Sequence, residues 1–440
     1  MAWTSHPVQS LTGRVRAPGD KSCSHRALIF AALSEGTSEI TGLLEGDDVM
    51  RTGKAMAALG ADVEQVGPGH WRVTGVGKAG LTSAGTLDFG NSGTGSRLIM
   101  GAVTGYTVIA EFTGDESLRG RPMNRILKPL REMGLRDSAA EDGLLPFSLY
   151  AGDGIHGIDY TPPVASAQVK SAILLAGLNA QGTTIVREAK ATRDHTERML
   201  RGFGARVDVV TEPGGARTIS IEGGQTLKAV QTSIPGDPSS AAFLAAAALI
   251  SPDGNVLIEN VMSNSTRDGF FDVLGAFGAQ LGAEEAGEAA GERLIDIQVS
   301  SPGKLTGADV PERLVPAMID EFPILAVVAA FAHGVTRVTG AEELRVKESD
   351  RIDAVIAMLR ANGVTCEASS DGFTVEGCGG PPPGGGAVET RHDHRIAMSA
   401  LVMGTAAQAP VSVDDVSMIA TSYPDFLDHM ASLGADIRDV

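Results

Sequence analysis

The sequence predicts an α/β fold built from six copies of one unit of about 70 residues, and three observations carry that prediction. The first is a recurring helix ending. Apolar residues at helical spacing run up to a glycine at positions 60, 134, 204, 278, 363 and 434, always 70 to 85 residues apart. A glycine there fits a left-handed helix stop. The second is a set of apolar helices without a polar face, at 26–33, 97–103, 169–178, 240–250, 323–332 and 396–403. Such helices are buried. The third is the short alternating stretches around the outer helices, among them 61–64, 184–186, 205–209, 256–258 and 411–413, which read as strands. Recurrence at this period is the mark of a repeat architecture.

Composition bounds the rest. With 440 residues, the chain is long enough for two or three domains and needs no covalent staples. The formal net charge of −18 argues against nucleic acid as a bulk partner and against an anionic membrane surface. A small anionic substrate is still allowed, provided Arg and Lys cluster locally. The three cysteines, Cys23, Cys366 and Cys378, form neither a CxxC pair nor a disulfide framework. No signal pattern opens the chain and no apolar run reaches membrane length, so a cytoplasmic protein is expected.

In chain order, charged and polar groups gather just before the buried helices. PGDKSCSHR (18–26) follows an extended start and leads into the first helix, with Ser22 or Ser24 as its expected cap. Lys21 and Arg26 at a helix N-terminus suit an anion, although a plain capped helix with two solvated cations explains the stretch equally well. GNSGTGSR (90–97) exposes backbone N–H groups with little cover; an ordinary glycine turn would look the same. RGRPMNR (119–125) sets two Arg before a helix that Pro122 can start. In SAQVKSA (166–172) Ser166 reads as a cap, and the amide of Gln168 wants a partner. PGDPSS (235–240) echoes 18–22 without its Lys, which suggests that the chain leaves one domain near 18–21 and returns near 234–238. The expected domains are 1–19 with 235–440, and 20–234. MIDEFP (318–323) places two adjacent acids before a buried helix, and capping accounts for only one of them. LRVKESDR (344–351) lies in a run with seven charges in ten residues, where helical spacing would put Lys347, Glu348 and Arg351 on one face. His392, Asp393 and His394 lack the clustered partners of a metal site.

These motifs together resemble the enolpyruvyl transferases over essentially the whole chain, and within them the branch acting on shikimate 3-phosphate. The resemblance implies two domains, each of three βαβαββ units, with buried parallel helices and sheets outside, an inside-out α/β barrel-like arrangement. It implies transfer of the enolpyruvyl group of phosphoenolpyruvate to the 5-hydroxyl of shikimate 3-phosphate with release of phosphate, on the route to chorismate and the aromatic amino acids. No cofactor, no metal and a monomer are expected. Residue by residue, Lys21 matches a lysine touching both substrates. Ser22, Arg26, Ser166, Gln168, Arg193, Asp320 and Lys347 match the shikimate 3-phosphate set. Gly93, Arg121, Gln168, Arg351 and Arg395 match the phosphoenolpyruvate set. Asp320 matches the proton acceptor and Glu348 a second acid/base group, with Lys21 the third catalytic candidate.

Two departures resemble the second, divergent branch linked with glyphosate tolerance: Ser166-Ala167-Gln168 instead of Ser-Ser-Gln, and Thr421 where the commoner branch has Lys. Tolerant members of that branch carry Ala where this chain has Gly93, so a sensitive glyphosate target is expected. The rival family member, which acts on UDP-N-acetylglucosamine, uses a loop cysteine; Cys378 lies in the glycine-rich stretch 377–386, expected to be a flexible surface loop, but PGDKSCSHR and LRVKESDR resemble the shikimate branch.

Overall fold

The computed structural model describes residues 2–152 and 154–439. It is a mixed α/β fold in two compact units. The first comprises Met1–Pro18, Gly236–Gly287 and Arg293–Val440; the second comprises Gly19–Pro235 and Glu288–Glu292. The short tip 288–292 groups with the second unit, which no feature of its own sequence announces.

Among the described residues there are six small sheets, five of four strands and one of three. One pattern recurs, a parallel pair extended by two antiparallel pairings. In the second unit it reads Gln231–Ser233, Thr37–Thr41, His70–Thr74, Asp62–Gly67. It repeats as Thr86–Asp88, Ile109–Thr113, Phe147–Tyr150, Arg136–Asp137. It repeats again as Asp159–Tyr160, Thr183–Glu188, Arg217–Glu222, Val207–Thr211. The first unit shows it in Ala387–Val388, Val411–Val413, Trp3–His6, Asp436–Asp439. In the three-stranded sheet His333–Val338, Phe373–Cys378, Thr365–Ala368, isolated parallel bridges at Thr306 and Asp309 stand where the other sheets have their opening strand.

Each unit is closed by strands from its own chain ends. Gln231–Ser233 returns to pair with Thr37–Thr41, and Trp3–His6 sits between Val411–Val413 and Asp436–Asp439. At the two crossing points the backbone is fastened within each unit: Asp20 N–H donates to Pro235 C=O in the second, Asp237 N–H to Pro18 C=O in the first, both at 2.8 Å.

The apolar helices are buried as expected, at Lys21–Leu33, Gly93–Thr104, Ala167–Gly177, Pro238–Ile250, Phe322–Phe331 and His394–Gly404. Most start earlier than the apolar pattern, because their polar first turns hide the boundary. Five are capped by their own side chain: Asp20, Ser92, Ser166, Asp237 and Asp393. The cap of the first is therefore Asp20, whose carboxylate accepts from Cys23 N–H at 2.7 Å, and not Ser22 or Ser24. The outer helices end as expected, since glycines 60, 134, 204, 278, 363 and 434 all have positive φ, between 77° and 114°. At the end of the glycine-rich stretch 377–386, Gly386 N–H donates to the Asn362 side chain at 3.1 Å.

Gly101 shows how closely the buried helices approach. A Cβ there would lie 2.7 Å from the Ala172 carbonyl carbon on the neighbouring buried helix, where neither backbone can yield cheaply. We expect Gly101→Ala to lower unfolding free energy by about 1–3 kcal/mol. Gly85→Ala, whose Cβ meets open space, should stay within about 0.5 kcal/mol. Urea denaturation of both variants checks this; equal midpoints would contradict the packing argument.

Candidate active site

The second unit presents a cation-rich set on the first turns of its buried helices. Lys21 and Ser22 stand in the first turn of Lys21–Leu33, and Lys21 forms an ion pair with Asp48. Arg26, one turn on, is buried and held by protein alone. Its Nε donates to Thr196 Oγ1 at 2.7 Å, Nη1 to the Ser22 carbonyl at 2.9 Å and Nη2 to Ser171 Oγ at 2.9 Å. Burial draws its pKa down. The Arg193 charge acts on it in the same direction, so the structure brings those two expected residues into electrostatic range. Ser166 caps its helix, accepting from Val169 N–H at 3.4 Å.

Gly93, Arg121 and Gln168 converge on a residue that sequence reasoning left out, Arg97. Its Nη1 donates to Gln168 Oε1 at 2.9 Å, and Gln168 Nε2 donates to Thr94 Oγ1 at 3.1 Å, which fixes the way the amide faces. A Cβ on Gly93 would lie 3.0 Å from Arg97 Nη1 and 3.4 Å from Arg121 Nη1. Arg121 is oriented by Asn91 Oδ1 at 2.8 Å and Ser117 Oγ at 2.9 Å. Arg97 is 5 % exposed and has no carboxylate among its described partners. Burial, with the like charges of Arg125 and Arg121, brings its pKa down to about 9. A buried guanidinium near two others, with no counter-charge among the described residues, can receive an anion. The sequence signal was present: Arg97 follows Gly93 by four residues, one helical turn, on the same face.

The first unit presents the opposite balance. Arg351, 1 % exposed, is ringed by three carboxylates. Its Nε donates to Asp393 Oδ2 at 2.9 Å, Nη1 to Asp320 Oδ1 at 3.1 Å and Nη2 to Glu348 Oε2 at 2.5 Å. Burial lowers its pKa, but the three carboxylates outweigh that and the net shift is upward. For Glu348 burial acts upward, yet the Arg351 and His394 charges win and hold it down at about 2. Lys347 Nζ lies 3.0 Å from Glu343 and 3.6 Å from Asp320. Arg395 donates from Nη1 to the Asp320 carbonyl at 3.0 Å and approaches Glu321 at 3.4 Å. Asp320, Lys347, Glu348, Arg351 and Arg395 are thus one cluster.

One expectation about this cluster changes. Lys347 and Glu348 do not share a helix with Arg351; the helix Arg351–Ala361 begins after them, with Asp350 as its cap. The charge run reads as helical, but Asp350 accepting from Asp353 N–H at 3.1 Å starts the helix later. Asp393, which the sequence suggested mainly as part of a His-rich stretch, is the fixed centre of the cluster. It accepts from Ser349 Oγ, Arg351 Nε and Arg395 N–H at 3.0, 2.9 and 2.9 Å.

His394 is buried beside these groups. Burial, then the Arg395 charge, lowers its pKa to about 4. The unfolded chain therefore binds this proton first as pH falls. The stability from neutral His394 is complete above about pH 6.5 and lost on the way down to about pH 4, an effect of about 3 kcal/mol. Urea melts of wild type and His394→Asn at pH 7 and pH 5 check this. The variant should lose less stability over that window; parallel losses would refute it.

The EPSP synthase (3-phosphoshikimate 1-carboxyvinyltransferase) family model matches residues 5–430. A 3-phosphoshikimate 1-carboxyvinyltransferase of Hyphomonas neptunium is 69 % identical over 439 residues, covering 100 % of both chains. One of Maricaulis maris is 53 % identical, covering 99 % of this chain and 97 % of its own. Among solved structures, an EPSP synthase from Acinetobacter baumannii superposes with a TM-score of 0.91 at 42 % identity, over 100 % of both chains. The enolpyruvyl transferase NikO from Streptomyces tendae shares the fold with a TM-score of 0.76 at 19 % identity, covering 99 % of this chain and 98 % of its own.

Proposed function

The chain belongs to the EPSP synthase family, and from that premise we infer how its residues divide the work of a 3-phosphoshikimate 1-carboxyvinyltransferase. The reaction moves the enolpyruvyl group of phosphoenolpyruvate to the 5-hydroxyl of shikimate 3-phosphate and releases phosphate, a step of aromatic amino acid biosynthesis. The family match and the named homologues favour this over the UDP-N-acetylglucosamine reaction.

The observation that carries the division of roles is the unequal charge of the two residue sets. In our reading the second unit receives anions. Lys21, Ser22, Arg26, Ser166, Gln168 and Arg193 bind shikimate 3-phosphate. Gly93 and Arg121, with Arg97 behind them, receive phosphoenolpyruvate, which Lys21 and Gln168 also touch. The first unit supplies the proton chemistry. Asp320 accepts the 5-hydroxyl proton as that oxygen attacks C2, and Glu348 or Lys21 serves C3. Lys347 adds a contact to shikimate 3-phosphate. Arg351 and Arg395 hold phosphoenolpyruvate, giving positioning and charge stabilisation. Arg26 enters this scheme with three of its five N–H donors already used within the protein, so its contribution is the preset geometry of Ser22 and Thr196 together with the two remaining N–H groups.

We further propose two domains, each of three βαβαββ units around buried helices, an inside-out barrel. The repeated strand order of the sheets supports it. A cytoplasmic monomer acting without cofactor remains our expectation; no helix among the described residues is long and apolar enough to cross a membrane.

Two outcomes test the scheme. Wild type should release phosphate only when both substrates are present, and Asp320→Asn should reduce kcat by about 10²-fold or more with the fold intact by circular dichroism. No activity with shikimate 3-phosphate would overturn the function. Separately, Gly93→Ala should raise the glyphosate concentration for half inhibition by about tenfold or more, since the added methyl presses on Arg97 and Arg121. Equal sensitivity of the two proteins would sink the steric account.

A further inference from the structure

The Arg351 cluster holds three carboxylates on one guanidinium, and the three are not held alike. Asp393 is fully buried and accepts hydrogen bonds from Ser349, Arg351 and the Arg395 backbone. Asp320 lies between Arg351 at 3.1 Å and Lys347 at 3.6 Å, with a side chain 17 % exposed. Glu348 has Arg351 as its side-chain partner among the described residues, and its side chain is 41 % exposed. An incoming anion therefore meets an arginine whose donors already face carboxylates. Adding a fourth negative group to this cluster without removing one sets like charges against each other at close range.

We propose that Glu348 is the exchangeable arm of this cluster: the anionic donor substrate takes the Arg351 Nη2 position that Glu348 occupies, and the displaced carboxylate picks up a proton. This rests on the assignment of phosphoenolpyruvate to Arg351 made above. The groups facing Glu348 set the sign. Arg351 holds it ionised in the free enzyme, while burial and Asp320 oppose ionisation. The same cluster holds Asp393 on Arg351 and the Arg395 backbone, and Lys347 between Asp320 and Glu343. Once an anion occupies Arg351, the largest stabilising charge is shared. Asp320 and the anion remain, and both favour the protonated acid.

The exchange arms the chemistry only when the donor is present. In the addition step the 5-hydroxyl oxygen forms a bond to C2 and passes its proton to Asp320, while C3 takes the proton from Glu348. In the elimination step C3 returns a proton to Glu348, the C2–O bond to phosphate breaks, and phosphate departs with that electron pair and takes up the proton held by Asp320, which restores the Asp320 carboxylate. Glu348 ends as it stood before the addition. When the product leaves, it loses its proton and closes back on Arg351.

Calorimetric titration of phosphoenolpyruvate tests this, with the enzyme saturated by a shikimate 3-phosphate analogue lacking the 5-hydroxyl, which cannot react. Titrations at pH 6 in two buffers of different ionisation heat count the protons exchanged. Wild type should take up more protons per donor bound than Glu348→Gln or Glu348→Ala, by up to one. Both variants should bind the donor as tightly as wild type or more tightly, because the competing carboxylate is gone. Identical proton counts, or binding weakened by about fivefold or more in both variants, would overturn the exchange. Turnover of wild type with the natural substrates is measured alongside. Absence of that turnover would instead overturn the assigned function, so the two failures are distinguishable.

Discussion

An apolar helix enclosed on every side takes polar chemistry most readily at its N-terminal end. Further along, a charged side chain is stranded in the core unless other groups hold it. The buried helices follow this constraint, and it dictates where most candidate site residues stand; Arg26, one turn further in, is held by Thr196, Ser22 and Ser171. Lys21 and Ser22 open one helix, Gly93 and Arg97 another, Gln168 a third and Arg395 a fourth. Asp320 stands two residues before a fifth. The same turns carry the unpaired N–H groups and the positive end of the helix dipole, so anion chemistry is favoured there before any side chain is chosen. The sixth helix, Pro238–Ile250, has the same Asp cap but proline where the first has Lys21. Its Asp237 is engaged by Arg267 at 2.8 Å. The repeat kept the helix start and changed its chemistry.

That constraint also explains what was legible in the sequence. The existence and burial of the helices could be read from the missing polar face, and the outer helix ends from glycines that adopt positive φ. The starts of the buried helices could not be read from hydrophobicity, because Lys21, Ser22 and Ser24 look like loop residues until Asp20 is seen to cap them. Individual site residues were legible as motifs, but their pairings were not. Nothing local links Arg97 to Gln168, 71 positions away, or Arg351 to Asp393, 42 away. Such contacts are made by the return of the chain through another repeat. The misreading of Lys347 and Glu348 as helical has a related cause: charge spacing alone cannot show that Asp350 starts the helix three residues later.

The two residue sets carry opposite electrostatic costs. Arg97 is a buried cation without a described carboxylate, and its lowered pKa registers that burden. Arg351 is a buried cation with carboxylates to spare, and its raised pKa registers the surplus. Neither arrangement is what stability alone would select, since an apolar side chain avoids the first penalty and a single well-placed acid avoids the second. Departures of this kind are where function is concentrated. A cation left short of charge is preorganised for an incoming anion, because no protein contact must be broken to admit it. A cation held by more acids than it needs is preorganised for exchange, because one acid can leave without stranding the arginine.

In the proposed scheme the contrast distinguishes what an anion meets at each cluster. In that scheme an anion near Arg97 displaces no carboxylate among the described residues, while one at Arg351 takes the place of Glu348. The first is suited to capture and the second to commitment. An acid that is released only by the arriving donor stays ionised, and so idle as a proton source, in the free enzyme. The surplus of carboxylates around Arg351 that looks wasteful in a static structure is then the feature that ties proton delivery to the presence of the group to be protonated.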